Sequence, residues 1–403
     1  MTPQDLGSMS TYTAAALVRA GAPLKVAIDA FISESTNNES LELQATFIAT
    51  ILEIAGYERA DERAVDWRSV HFIPSGRYVQ KLVQRFCSQL LEERGSDVED
   101  DDLASLIYHF SAAKSRVSLP DPSSPNFVTF CIPSAKGEDK AGPLRIRTFP
   151  QHNDVGCSKI WEAGAALAEF LIHNSDLVRD KHVAEFGSGV GFTGLVVAGV
   201  SRAKSMHMTD YTSATLENLA FNVELQKGWL VARGVEPKSI TLVGQGWLRL
   251  IGFYSGNVLI VSGSQGMLEW ENYCEKSVDV ISAEGTHTWP WSDSFLALTK
   301  ASLLIAADVV YDRNFIGALV RAVVKFFQSG TRPLEGTERT AIFATTYRNR
   351  ATFSLFENEL LQNDIETTYH ASDDIPHLFP LYWTQPREDV RLCTMKPKVE
   401  SLS

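Results

Sequence analysis

The stretch Val183-Ala-Glu-Phe-Gly-Ser-Gly-Val-Gly-Phe-Thr-Gly194 sets four glycines in eight positions directly after a short apolar run. Glycine leaves the backbone bare, so a ligand can approach it closely. The register Gly189-x-Gly191-x-x-Gly194, with Asp210 downstream, fits a dinucleotide fingerprint. The register Glu185-x-Gly187-x-Gly189-x-Gly191 instead puts a carboxylate at the strand end, two positions before the first glycine. That carboxylate would repel a pyrophosphate, but it attracts a ligand bearing an ammonium and a sulfonium. Asp210 ends the next apolar stretch, where its two oxygens can accept from both hydroxyls of a ribose. The two carboxylates around the glycines favour S-adenosylmethionine over a nicotinamide dinucleotide.

The second group is "AADVVYD", with Asp308 and Tyr311 three residues apart where the apolar run Leu303 to Ala307 ends. Methyl transfer is an in-line displacement that needs a nucleophile held near the sulfonium and stripped of water. A narrow channel lined by an aromatic ring and one carboxylate can admit a lysine amine and help it shed its proton. Asp308 also reads as a strand-end residue capping the next helix, and local sequence does not separate the two. Trp161, Trp289 and Trp291 are either core aromatics or flat rings beside an adenine. No cluster has the spacing of metal ligands.

These residues need a scaffold that brings strand ends together. From "SKIWEAGAALAEFLI", read as an amphipathic helix, strands and helices alternate. "HVAEF", "SMHMTD", "SVDVISAE", "SLLIAADVVY" and "RTAIFATTY" read as strands, with "LFPLYW" and "DVRLCTM" as the last two. Such alternation predicts a mostly parallel α/β sheet covered on both faces, with its ligand at the carboxyl ends of the strands. "NFVTFCI" and "PLRIRTF" predict two strands before it, while residues 227 to 277 read as an insertion with no assigned role, ordered enough for a hairpin. The proline- and serine-rich "SLPDPSSPNF" divides the chain into a helical region, 1–118, and the α/β region, 119–403. The helical region carries "LQATFIATILEIAGY", "RYVQKLVQRFCSQLLEE" and an acidic helix start at Asp97 to Asp102.

Composition narrows the function. A net charge of −12 over 403 residues argues against nucleic acid as a partner and suits a locally basic one. Five scattered cysteines without a CxxC predict a reducing compartment. The early apolar stretch is broken by Arg19 and Lys25, and no run is long enough to span a membrane, so a soluble intracellular protein is expected, read here as cytoplasmic and as a monomer.

"VAEFGSGVGFTGL", "MHMTDYT", "LENLAFNV" and "LLIAADVVYD" resemble the motifs of the seven-strand class I (Rossmann-like) methyltransferases, in the protein-lysine branch with a D-x-x-Y motif. "FIPSGRYVQKLVQRFCSQLLEE" and "ATTYRNRATFSLFENEL" are similar to the eukaryotic enzymes of that branch that methylate a lysine of translation elongation factor 2 and carry a helical N-terminal extension. The resemblance implies that Glu185, Gly187 and Gly189 line S-adenosylmethionine and that Asp210 holds its ribose. It also implies that Trp161 flanks the cofactor and that Asp308 and Tyr311 form the substrate-side edge. The family's Leu-Asp-Trp triplet is missing; "THTWPWSD" offers Trp289 or Trp291 in its place. Two rivals stand beside this reading. A nicotinamide oxidoreductase is disfavoured by Glu185 and by the lack of a Tyr-x-x-x-Lys pair, and a non-catalytic cofactor-binding scaffold by Asp308 and Tyr311.

Overall fold

The computed structural model describes residues 13–22, 24–34, 46–47, 49–51, 76–94, 125–130, 132, 143–210, 212–236, 239–244, 261–262, 277–282, 285–290, 300–328, 338–371, 375, 377–379 and 387–398. The strands in chain order are β1 (Asn126–Phe130), β2 (Leu144–Thr148), β3 (His182–Phe186), β4 (Ser205–Asp210), β5 (Ile240–Gly244) and β6 (Val261–Ser262). They continue with β7 (Ser277–Ser282), β8 (Gly285–Pro290), β9 (Leu303–Ala307), β10 (Thr340–Thr346), β11 (Ile365–His370) and β12 (Val390–Pro397). The helices are α1 (Ala14–Arg19), α2 (Leu24–Glu34), α3 (Gly76–Arg94), α4 (Val155–Ser158) and α5 (Glu162–His173). After them come α6 (Phe192–Ser201), α7 (Ser213–Leu225), α8 (Lys227–Ala232), α9 (Ile316–Gln328) and α10 (Arg350–Gln362).

Seven strands form one sheet in the order β11-β12-β10-β9-β3-β4-β5. Pairing is parallel from β10 through β5, and β12 runs antiparallel to both β10 and β11. This is the class I Rossmann-like order, and its chain reversal lies between β3 and β9. The central strands are near-continuous apolar runs because helices cover both faces; β3, β9 and β10 are buried almost throughout. The crossover helices put their apolar residues on the sheet, α6 on one side and α9 on the other. Helices α1 to α3 bury a separate cluster around Phe31, Phe47 and Phe86. Ala20, just past α1, joins the cluster under β1 and β2 instead. Among the described residues, no helix is long and apolar enough to cross a membrane.

Four details differ from the sequence reading. Helix α5 is not amphipathic, since Glu162 through Ile172 are all buried. One side lies on the sheet, and residues 377–379 reach the other, with the Leu378 and Phe379 amides donating to Glu169 at 2.7 and 2.9 Å. "LFPLYW" is therefore core filling at its described residues Leu378 and Phe379, and the sixth strand is β11, "IETTYH". As an edge strand β11 is half exposed and polar, which hid it. "SVDVIS" does not enter the main sheet, but pairs with β6 and β8 in a three-stranded antiparallel sheet. The third parallel strand is β5, "ITLVG", inside the segment read as an insertion; apolar sequence runs on beyond it, so periodicity does not mark its end. The acidic run Asp97 to Asp102 lies outside the described residues, as do residues 118–124 of the dividing segment.

Glu169 also pairs with Arg387 at 3.1 Å, and the two side chains are 0% and 3% exposed. Arg387 in turn donates to the Ile375 carbonyl at 2.6 Å. Removing one partner leaves a buried charge, which costs about 3–5 kcal/mol. Arg387→Met is expected to lower the unfolding free energy by about that amount in urea titration; a loss near zero would place the pair in water.

Candidate functional site

The carboxyl ends of β3, β4, β9 and β10 bring the sequence candidates to one edge. Gly187, Gly189 and Gly191 take φ values of 65°, 53° and 85°, the left-handed region where a side chain is strained. They turn the chain from β3 into α6 within five residues. Gly187, Gly191 and Gly194 are also required by the protein's own packing, a Cβ on Gly187 meeting Val309 Cγ1 at 2.9 Å. A Cβ on Gly191 would meet Leu219 Cδ1 at 2.5 Å, and one on Gly194 would meet Glu185 Oε2 at 2.6 Å. The Gly189 amide donates to Asp210 Oδ2 at 2.8 Å, tying the turn to the end of the neighbouring strand.

Glu185 is buried beneath this turn, facing the first turn of α6. Burial pushes its carboxyl up to about 7; the Ser188 hydroxyl pulls it down, the Asp210 charge raises it, and the Gly194 amide lowers it. Among the described residues Glu185 Oε2 accepts no hydrogen bond, a costly state for a buried oxygen.

A second segment crosses the turn. Asp154 caps α4 by accepting from the Gly156 amide at 3.0 Å, and it also accepts from the hydroxyls of Thr212 and, at 3.0 Å, Thr215. That anchors α4 to the start of α7 and sets the Gly156 carbonyl 3.2 Å from where a Cβ on Gly189 would lie. Trp161 follows, just before α5, and its indole N–H donates to the Val155 carbonyl at 3.4 Å. Two cations flank its ring: Lys159 Nζ lies 4.2 Å and the Arg348 guanidinium 4.9 Å from the centroid.

Asp308 sits at φ 54° just past β9, and it does not cap the following 3-10 turn; Asp312 does. Its carboxylate ties β9 to β10, accepting from the Thr346 amide at 2.8 Å and the Thr346 hydroxyl at 3.0 Å. Arg348 adds a two-pronged contact at 3.2 and 3.3 Å. Tyr311 is 56% exposed at the same edge. The structure thus gathers Trp161, Glu185, Gly187, Gly189, Asp210, Asp308 and Tyr311. Trp289 is on β8, paired with Val278 outside the main sheet, and its side chain and all of Trp291 lie outside the described residues. Sequence reasoning missed Asp154, Thr212, Thr215, Glu162, Thr346 and Arg348. Thr346 and Arg348 lay within the quoted "ATTYRNR" and Thr212 within "MHMTDYT", but nothing local singled them out.

These residues fit S-adenosylmethionine. The turn presents bare backbone, a strand-end carboxylate stands beside it, and the buried Glu185 carboxyl lies beneath it.

Residues 140–241 match the family described as lysine methyltransferase. The match covers about a quarter of the chain, from just before β2 into β5. A Dictyostelium discoideum protein described as uncharacterized is 26% identical over 223 residues, 54% of this chain and 52% of its own. The protein-lysine N-methyltransferase EEF2KMT of Bos taurus is 28% identical over 205 residues, 51% of each chain. The protein-lysine N-methyltransferase EFM3 of Chaetomium thermophilum is 24% identical over 293 residues, 70% of this chain and 72% of its own. The chain spans about half the length of the first two.

Glu185 generates a pH prediction. Its raised value means that the folded protein holds this proton more tightly than the unfolded chain, where the carboxyl ionises near 4.5. Its contribution to stability is complete below about pH 4.5 and is lost as the pH rises through about 7. In urea unfolding across that window, wild type should lose more stability than Glu185→Gln. Equal slopes would locate the proton elsewhere.

Proposed function

We propose that the chain is an S-adenosylmethionine-dependent protein-lysine N-methyltransferase, acting in the cytoplasm as a monomer on a lysine of translation elongation factor 2. The observation that carries the cofactor is the left-handed glycine turn held by Asp210 above the buried Glu185. The family match over residues 140–241 supports amine methylation, and so do relatives named protein-lysine N-methyltransferases. The resemblance of "FIPSGRYVQ" and "ATTYRNR" supports the particular substrate.

S-adenosylmethionine supplies a methyl group on a sulfonium, open to attack by an amine. The chain's part is to bind, orient and exclude water. Gly187 and Gly189 supply the left-handed turn that brings bare backbone to the cofactor, and Asp210 accepts from its ribose while steadying the turn. Trp161 flanks the cofactor, with Trp289 or Trp291 as the adenine-side ring. Asp308 and Tyr311 face the substrate, where a carboxylate and a phenol orient an incoming ammonium and take part in its deprotonation. These groups select an amine but are too few to choose among lysines, so specificity falls to a second surface. The helical region 1–118 is the proposed surface, with the acidic run Asp97 to Asp102 steering a basic face of the partner.

Two measurements test this. Asp210→Ala should weaken S-adenosylmethionine binding about a hundredfold by calorimetry, the loss of about 2–3 kcal/mol in charge-assisted hydrogen bonds. Affinity within about threefold of wild type, or binding of NAD, would remove the cofactor assignment. With labelled cofactor, the full chain should methylate intact elongation factor 2 far better than a short lysine peptide. Replacing Asp100, Asp101 and Asp102 with Asn should slow only the former, most at low salt. No label on elongation factor 2 would refute the substrate, and an unchanged salt response would refute the steering.

A further inference from the structure

Asp308 is the carboxylate proposed above to face the substrate amine, yet its side chain is only 7% exposed, and a guanidinium of the same chain covers it. The two halves of its environment differ. Thr346 holds it from within the sheet through a backbone amide and a hydroxyl at 2.8 and 3.0 Å. Arg348 holds it from outside at 3.2 and 3.3 Å, beyond the roughly 2.7–2.9 Å of a strong charge-assisted bond. The Arg348 side chain is 35% exposed, and ion pairs so open to water contribute little.

Arg348 also has a second place to go. Glu162 Oε2 lies 3.7 Å from its Nη2, and the Trp161 ring lies 4.9 Å from its guanidinium carbon. Glu162 is 3% exposed, and Lys159 Nζ is 3.4 Å from it. The cluster therefore holds two carboxylates, Asp308 and Glu162, and two cations, Lys159 and Arg348. If Arg348 lets go of Asp308, it can stay on Glu162 and Trp161. Thr346 keeps the Asp308 carboxylate in place meanwhile.

We propose that Arg348 is a resident cation occupying the seat of the substrate ammonium on Asp308, and that substrate enters by exchanging with it. The inference rests on the amine substrate proposed above and adds a specificity device to the same site. A lone ammonium gains little by displacing a fork already in place. A lysine presented by a docked protein brings further contacts that offset the exchange. Competition from within thus weakens the binding of free amines without adding any contact to the correct substrate.

Arg348→Ala in the full chain should lower KM for the protein substrate about fivefold, the scale of an exposed ion pair, while affinity for S-adenosylhomocysteine stays unchanged. The same variant should be inhibited by n-butylammonium at lower concentration than wild type, with Arg348→Lys between them. A raised KM, or a fall in kcat at constant KM, would make Arg348 a structural brace and overturn the exchange. If wild type methylates no lysine at all, the proposed reaction fails, and the exchange is read without it. With S-adenosylhomocysteine present, n-butylammonium at the higher concentration needed to inhibit wild type should shift the Arg348 Nε–H resonance in wild type and leave it in place in Asp308→Asn. A resonance that does not move in wild type overturns the exchange on its own.

Discussion

The hydrogen bond from the Gly189 amide to the Asp210 carboxylate is the contact on which the candidate site depends. It joins the turn after β3 to the end of β4, so the glycine loop and the strand-end carboxylate move as one piece. The turn is left-handed at three positions and gains no stability from its own conformation. An anionic acceptor fixed by a parallel sheet compensates for that. Asp154 braces the assembly from the other side by holding α4 against α7. The cradle is therefore built from three elements distant in sequence, each restraining the next.

Charge is arranged in two tiers along the same edge. Glu185, buried under the turn, is pushed towards its neutral form. Asp308 and Glu162 lie further along the edge and are matched by Arg348 and Lys159. A ligand arriving above Glu185 meets the glycine turn, with the carboxyl out of contact beneath it, whereas one arriving at Asp308 meets a carboxylate already satisfied. The first tier is shut away from solvent, and the second makes an arriving cation compete.

Much of this was legible in the sequence because strand-to-helix turns and strand ends leave local marks. The glycine spacing, Glu185, Asp210, Asp308 and Trp161 all stand next to apolar runs that fix their place on the sheet. The residues that were not legible act across long sequence separations. Arg348 reaches Asp308 over forty positions, and Asp154 reaches Thr215 over sixty-one. No periodicity records such pairs. Strand β5 was obscured because it is short and followed by more apolar sequence. Strand β11 was obscured because an edge strand, with one side in water, does not need an apolar pattern. Helix α5 misled in the opposite direction: it read as amphipathic, with one apolar face, while residues 377–379, two hundred positions away, cover the other.

The space beside Gly194 has a consequence for how this site can vary. Glu185 Oε2 and the side chain of Met208 fill the volume that a Cβ on residue 194 would occupy. Positions 185, 194 and 208 are thus one steric unit split across two strands and a helix. An alanine at 194 must displace both the carboxyl and the Met208 side chain, or lift α6 from the sheet. Drift at any one position is conditional on the other two, so the helix can acquire a side chain there only after, or together with, shortening on both strands.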